Sequence, residues 1–208
     1  MRLLPLAVLS AILLSSLAIA QTRTAPKKAP TLPEALDQAT KAAESEQYGT
    51  AIAALQAAIK LLQKKQRVAI LASLPKPQGW EIQDDEPNEA TDALTAGLAG
   101  IGTNIQRRYH KADDKSLTVD VMANSPMLQM IAMLFNNPAM ITAEGGEIVQ
   151  YGPHKAILKK SGDNGSELQI LMHEKHLVKV TAQGITAEEL LQIFDQAFVD
   201  RMEKPLGK

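Results

Sequence analysis

The pattern of apolar and polar positions divides this chain into an apolar start, a helical segment and a series of short alternating segments. Residues 34–73 carry apolar side chains at helical spacing, and Gln47-Tyr48-Gly49 interrupts them, so the pattern predicts a helical hairpin. The apolar stripe of the second helix consists of Ile52, Leu55, Ile59 and Leu62. One hairpin cannot cover its own apolar face, and we therefore expect it to pack against the rest of the chain.

After residue 104 the apolar residues alternate with polar ones, which is typical of β-strands with one face buried. About six strands are predicted, at residues 105–110, 117–124, 147–151, 154–160, 167–173 and 176–182. Short turns join neighbouring strands, and Asp163-Asn164-Gly165 is the strongest of these turn signals. Strands joined by short turns pair in an antiparallel way, so the pattern predicts an antiparallel sheet.

Two helices are predicted among these strands. Ser125 and Pro126 fit the cap and the first position of an internal helix that runs to about Phe135. Thr186 and Glu189 form the pattern of a capping box that opens a last helix. The predicted fold class is therefore α+β, with an N-terminal helical hairpin packed against an antiparallel sheet of about six strands, one internal helix and one C-terminal helix.

The predicted domain organisation begins with an export signal. Residues 1–20 combine Arg2, an apolar run and small residues before a cleavage site after Ala20, which is typical of a signal peptide and predicts a periplasmic protein. The other predicted boundaries are a flexible Pro/Lys linker at 21–33, the hairpin at 34–73, the sheet domain at 74–202 and a disordered tail at 203–208. The apolar run is too short for a comfortable membrane span, so no stable membrane insertion is expected after cleavage.

Composition excludes several classes of function. The chain has no cysteine, which excludes thiol chemistry, cysteine zinc sites and lipidation at a cysteine beside the cleavage site. The formal net charge is −1 and only 3% of residues are aromatic, so neither a basic face nor stacking side chains indicate a nucleic-acid partner. No cofactor is indicated by any motif.

Three segments resemble known families. The stretch EQYGTAIAALQAAIKLL resembles the second helix of a tetratricopeptide repeat, with Tyr48, Ala51, Leu55 and Ala58 at fitting positions. The order of elements after the Pro-Gly-Trp entry loosely resembles a PsbP-like α/β/α sandwich. The run from LPKPQGW through SPMLQMIAMLFNNPAM to the last helix looks like a family of exported proteobacterial proteins. No activity is established for that family, so the resemblance implies export and domain extent but no site.

The most unusual segment carries Met127, Met130 and Met133 at intervals of three residues, within about a third of the circumference of one helix. Thioethers are soft ligands that suit Cu(I), so the three methionines are a candidate copper site. Methionine also suits an adaptable partner surface, and it fills gaps in a core. A helix that carries Leu128, Ile131, Leu134 and Phe135 as well could be buried on all sides.

A second candidate metal site consists of His173 and His176. If Glu174-Lys175 forms a tight turn, the two histidines lie on one face and within reach of a shared zinc ion. On a continuous strand they point to opposite faces and cannot share a ligand. Surface histidines at a hairpin tip are the alternative. His110 and His154 lie near predicted turns, and neither has a predicted carboxylate partner.

No catalytic constellation is evident, because the chain has no Gly-x-Ser-x-Gly elbow and its paired acids lie in predicted loops. The sequence therefore favours a non-enzymatic periplasmic module that binds a protein or an envelope component. The contact surfaces would be the hairpin, with Tyr48, and the Met-rich helix. Metal handling with copper or zinc is the first alternative, and an enzyme of unrecognised type is the second.

Overall fold

Small side chains set how closely the first two helices pack. In the computed structural model, which describes residues 29–86, 102–125, 128–162 and 164–207, α1 spans Leu32–Glu44 and α2 spans Tyr48–Ser73. The buried residues between Leu32 and Lys60 are all alanines: Ala35, Ala39 and Ala42 of α1, and Ala51, Ala54 and Ala58 of α2. Because these side chains are short, the two helices approach closely, and the larger apolar side chains of α2 stay outside their contact.

The ends of the hairpin differ from the prediction by a few residues. Helix α1 begins at Leu32 because Thr31 and Glu34 form a capping box, in which the Thr31 backbone N–H donates to Glu34 Oε2 at 2.6 Å. The predicted linker at 21–33 therefore overlaps the first two helical residues. Tyr48 and Gly49 belong to α2, and the break lies before them, where Glu46 has a φ of 57°. The predicted signal peptide lies outside the described residues.

Within the described residues, seven antiparallel strands form one sheet, whereas the sequence predicts about six. They are β1 Glu81–Asp84, β2 Thr103–Lys111, β3 Lys115–Ala123, β4 Gly146–Tyr151, β5 His154–Ser161, β6 Gly165–Met172 and β7 His176–Gln183. Their spatial order is β1-β2-β3-β7-β6-β5-β4. The additional strand is β1, at one edge, and all four of its side chains are exposed. Without a buried face it has no alternating pattern by which the sequence could predict it.

The sheet buries side chains on both faces, because alternate residues along its central strands belong to two separate cores. Leu158, Ile170 and Val178 belong to the larger core, which also contains Ile70 of α2 and apolar residues of the C-terminal helices. Their neighbours on the same strands, Ile157, Leu171 and Leu177, belong to a smaller core with Leu128, Phe135 and Ile141. Successive side chains of a strand point to opposite faces, so helices cover both sides of the sheet.

The internal helix is confirmed, and a second short helix follows it. Helix α3 spans Leu128–Phe135, and α4 spans Pro138–Ala143. Asn137 restarts the chain as a helix because its side chain accepts a hydrogen bond from the Met140 N–H and Pro138 occupies the first helical position. The same Asn-Pro pair that ends α3 therefore begins α4, which the sequence-based prediction did not include.

The C-terminal helix is divided in two. The capping box of Thr186 and Glu189 opens α5, Ala187–Ile193, as predicted. Asp195 then caps α6, Gln196–Leu206, by accepting a hydrogen bond from the Phe198 N–H at 2.8 Å. Residues 203–206 are thus helical, and the prediction of a disordered tail from residue 203 is wrong for them because Leu206 is buried in the larger core. Within the described part of the chain, no helix is long and apolar enough to cross a membrane.

The hairpin and the sheet are not separate domains, since Thr31–Lys208 forms one compact unit. Gln66 of α2 donates to the carbonyl of Pro205 in α6 at 3.2 Å. A buried arginine makes a second connection. Arg107 of β2 donates to both carboxylate oxygens of Asp84 in β1, at 2.5 and 2.9 Å, and to the carbonyl of Leu71 in α2 at 2.9 Å. Arg107 therefore joins the edge strand and the hairpin to the sheet.

We predict that Asp84→Asn lowers the free energy of unfolding by about 1–3 kcal/mol at pH 7, because the buried guanidinium loses its charged partner. Arg107 lowers the pKa of Asp84 below its usual value. A carboxyl group with a lowered pKa stabilises the fold above its ordinary pKa, and this contribution disappears as the pH falls through the folded-state value. The parent protein should therefore lose more stability than the variant below about pH 4.

Urea unfolding at a series of pH values measures this difference. Asp37→Asn is the matched control, because Asp37 forms an exposed pair with Lys41 on α1 and its loss should cost only about 0.5 kcal/mol or less. Equal costs for the two substitutions would show that the Arg107–Asp84 pair stabilises the fold no more than an exposed ion pair does.

Candidate functional site

The register of two neighbouring strands brings two histidines together at one end of the sheet. Lys155 of β5 pairs with Leu171 of β6. This pairing places His154, the first residue of β5, beside the end of β6 and the turn that follows it. His173 is the first residue of that turn. The two imidazole rings meet edge to face, with their centroids 4.7 Å apart.

Helix α6 brings a carboxylate to these two rings. Oε1 of Glu203 lies 3.1 Å from Nε2 of His154 and 4.0 Å from Nε2 of His173. All three atoms lie within 4.8 Å of one another. We call these three residues the His-His-Glu cluster. Three elements that are distant in the sequence, β5, the β6–β7 turn and α6, therefore supply one group of possible ligands.

One nitrogen in the cluster has no hydrogen-bond partner among the residues that the structure describes. His154 is buried, and the side chains of His173 and Glu203 are 25% and 26% exposed. Nε2 of His154 is within hydrogen-bond distance of Glu203, but Nε2 of His173 is buried and unpaired. Leaving a buried polar atom unpaired costs about 1–3 kcal/mol. The 4.0 Å gap to Glu203 is too long for a hydrogen bond and is wide enough for a bridging ion.

The geometry of the cluster fits a zinc ion after small changes in the distances from Glu203 to the two histidines. Zinc binds imidazole nitrogen and carboxylate oxygen at about 2.0–2.2 Å, so two donors on a tetrahedral ion lie about 3.3–3.5 Å apart. The distances of 3.1 and 4.0 Å lie on either side of this value. Two histidines and one glutamate form a donor set that zinc accepts when a fourth coordination position is left open.

A cleft of about 180 Å³ lies beside the cluster. Both histidines line it, together with Phe135 and Asn136 at the end of α3 and Lys155 of β5. Lys155 Nζ donates to Asn136 Oδ1 at 3.1 Å across this cleft. His154 and His173 of the cluster therefore border this cleft, whereas Glu203 is not among the residues that line it.

Only one member of the predicted histidine pair, His173, belongs to this cluster. The turn is present but lies one residue earlier than predicted, at residues 173–175, because Met172 rather than His173 pairs with His176. Both His173 and Glu174 have a positive φ. His176, however, is buried at the start of β7 and does not belong to the three-residue cluster. Burial lowers its pKa to about 4, with smaller contributions from His173 and Lys175, so its ring is neutral at neutral pH. The ligands that join His173 are His154 and Glu203.

The methionines of α3 lie on its outer side. Met130 and Met133 are 69% and 73% exposed, while the buried face of the helix consists of Leu128, Ala132 and Phe135. The interpretation that this helix is buried on all sides is therefore wrong. Met127 lies outside the described residues. Partner binding and copper binding at Met130 and Met133 both stay predictions.

Sequence reasoning missed His154 and Glu203 for different reasons. The predicted turn at Asp163-Asn164-Gly165 lies at the centre of the β5–β6 pairing, in which Ser161 is opposite Gly165. Counting outward from that turn would have placed His154 beside Met172 and hence next to His173. Glu203 cannot be found in the same way, because the sequence predicts a disordered tail at residues 203–208, the segment that carries it. His154 does have a carboxylate partner, contrary to the prediction.

Tyr48, which the sequence predicts as a contact residue, lies at the start of α2 and is 63% exposed.

A scan against protein-family models and searches of curated proteins and of solved structures found no significant match. The resemblances noted in the sequence therefore stay predictions, and the geometry of the His-His-Glu cluster is the basis for a functional proposal.

Proposed function

We propose that this protein binds a divalent transition-metal ion, zinc foremost, at His154, His173 and Glu203, and that it handles this metal outside the cytoplasm. The observation that carries the proposal is the buried, unpaired Nε2 of His173, which lies 4.0 Å from Glu203 Oε1. A cation between the three side chains would give this nitrogen a partner. It would also replace the direct contact between Glu203 and His154 with a bond from each side chain to the ion.

The donor atoms favour zinc over other common metals. Calcium and magnesium prefer sites made of oxygen donors, and this cluster supplies two nitrogens. Cu(I) prefers thioether and thiolate ligands, which the cluster does not contain. Imidazole with carboxylate suits zinc and related divalent ions.

The proposed location rests on the apolar, small-residue pattern of residues 1–20, which is typical of an export signal. A zinc-handling role there does not need cysteine, since the cluster uses only imidazole and carboxylate. Three protein ligands leave at least one coordination position for water or for an exchanging ligand. We therefore propose binding and release of the metal as the role of the site.

Binding of a protein or an envelope component is the second candidate function, and the exposure of Met130 and Met133 favours it. Met140 on α4 is 50% exposed as well, so the chain places several flexible, apolar side chains in water. Such side chains adapt to different partner surfaces. This role is compatible with metal handling, because a metal carrier must contact the protein to which it delivers its ion.

We predict that zinc stabilises the parent protein by about 3 kcal/mol when its free concentration is a hundred times the Kd. His173→Ala and Glu203→Gln should weaken zinc binding by more than about 100-fold, because each removes a direct ligand. Isothermal titration calorimetry and thermal unfolding of chelator-treated protein measure the two effects. Elemental analysis of protein purified from its host measures which metal it carries.

His110→Ala is the matched control, because His110 is exposed on β2 and outside the cluster. Its zinc affinity should equal that of the parent protein. Equal affinities of the His173 and His110 variants would contradict the proposed site, and an unchanged melting temperature of the parent protein in zinc would contradict metal binding altogether.

For the second candidate function, we predict that a photo-crosslinking side chain at position 133 captures one defined protein in intact cells. The same side chain at Gln129, an exposed polar position on the same helix, should capture much less of it. Mass spectrometry of the crosslinked products identifies the partner. Identical capture at both positions would argue against a specific contact at the methionines.

A further inference from the structure

The outer face of α2 carries an apolar stripe that neither the hairpin nor the sheet covers. Four of its side chains, Tyr48, Ile52, Leu55 and Leu62, are between 46% and 63% exposed. Ile59, which lies between the last two, is partly exposed. Burying such side chains against another apolar surface is favourable by about 25 cal/mol for each Å² removed from water. We call these five residues the α2 seam.

The spacing of the α2 seam is the spacing of a helix–helix contact. Its residues follow one another at intervals of four, three, four and three, which is the heptad repeat of a two-helix interface. From Tyr48 to Leu62 the seam extends for about 21 Å along the helix. The buried alanines of the hairpin, such as Ala54, lie on a different side of α2, so α1 does not occupy the seam.

The charges at the two ends of the seam are complementary to each other. Glu44 and Glu46 lie at the hairpin tip, just before the first seam residue. Lys64 and Lys65 lie just after the last one. A second copy of α2 that runs in the opposite direction would bring its Lys65, which flanks the seam, to the glutamates of the first copy, whereas Lys64 lies on the far side of the helix. A parallel copy would bring like charges together, which is unfavourable.

From the spacing and the charges we infer that two copies of this chain associate through the α2 seam, with their α2 helices antiparallel. The contact has two-fold symmetry, so the same surface serves both copies. Leu55 lies at the centre and meets Leu55 of the partner subunit. Tyr48 of each copy lies beside Leu62 of the partner subunit, because both are equally far from the centre. This inference does not depend on the proposed metal site, which lies on other elements.

The absence of cysteine from the chain allows a direct test by disulfide crosslinking. Under mild oxidation, Leu55→Cys should give a covalent dimer, because the two introduced thiols face each other across the two-fold axis. Tyr48→Cys alone should remain uncrosslinked, whereas the double variant Tyr48→Cys/Leu62→Cys should crosslink. Val68→Cys is the control, since Val68 is equally exposed on α2 but lies outside the seam.

Sedimentation of the purified protein tests the association without any crosslink. Ile52→Glu should weaken dimerisation by about 100-fold or more, because it places unpaired charges in the interface. Val68→Glu should leave dimerisation unchanged. Lys65→Glu should weaken it, and adding Glu44→Lys/Glu46→Lys should restore it. A parent protein that stays monomeric at all concentrations would overturn the inference, and so would efficient crosslinking of Tyr48→Cys alone, which requires parallel helices.

Discussion

The pairing of β5 with β6 is the interaction on which the rest of the structure depends. These strands lie inside the sheet and bury side chains on both faces, so a shift of one residue would exchange the contents of the two cores. Their register therefore cannot slip without loss of both cores. The same register sets His154 beside the turn that carries His173. The geometry of the candidate site thus follows from the packing of apolar residues that are not part of it.

How much of this could be predicted from the sequence depends on whether a signal is local. The alternation of Leu168, Ile170 and their polar neighbours predicts β6, and the Thr186–Glu189 pair predicts the start of α5, because each pattern lies within a few residues. The edge strand β1 has no buried face and gave no such signal. The position of Glu203 depends on α6 packing across the sheet, which is a contact over 49 residues to His154. No local pattern reports a contact of that kind.

The candidate site connects the last helix to the sheet. Glu203 reaches the histidines from α6, and α6 also contributes Phe198, Val199 and Met202 to the larger core. A metal ion bound at the cluster would join α6 to β5 and to the β6–β7 turn at a single point. Metal binding would therefore stabilise the packing of α6, since a ligand that binds only the folded state shifts the equilibrium towards that state. The apolar α2 seam lies on the hairpin, so metal binding and self-association use separate surfaces.

A crystal structure of the protein soaked with zinc, with diffraction data collected above and below the zinc absorption edge, tests the central claim most directly. If zinc binds at the cluster, we expect one strong anomalous peak about 2.0–2.2 Å from Nε2 of His154, Nε2 of His173 and one carboxylate oxygen of Glu203. A peak that is absent from the cluster, or found only at surface residues such as His110, would contradict it.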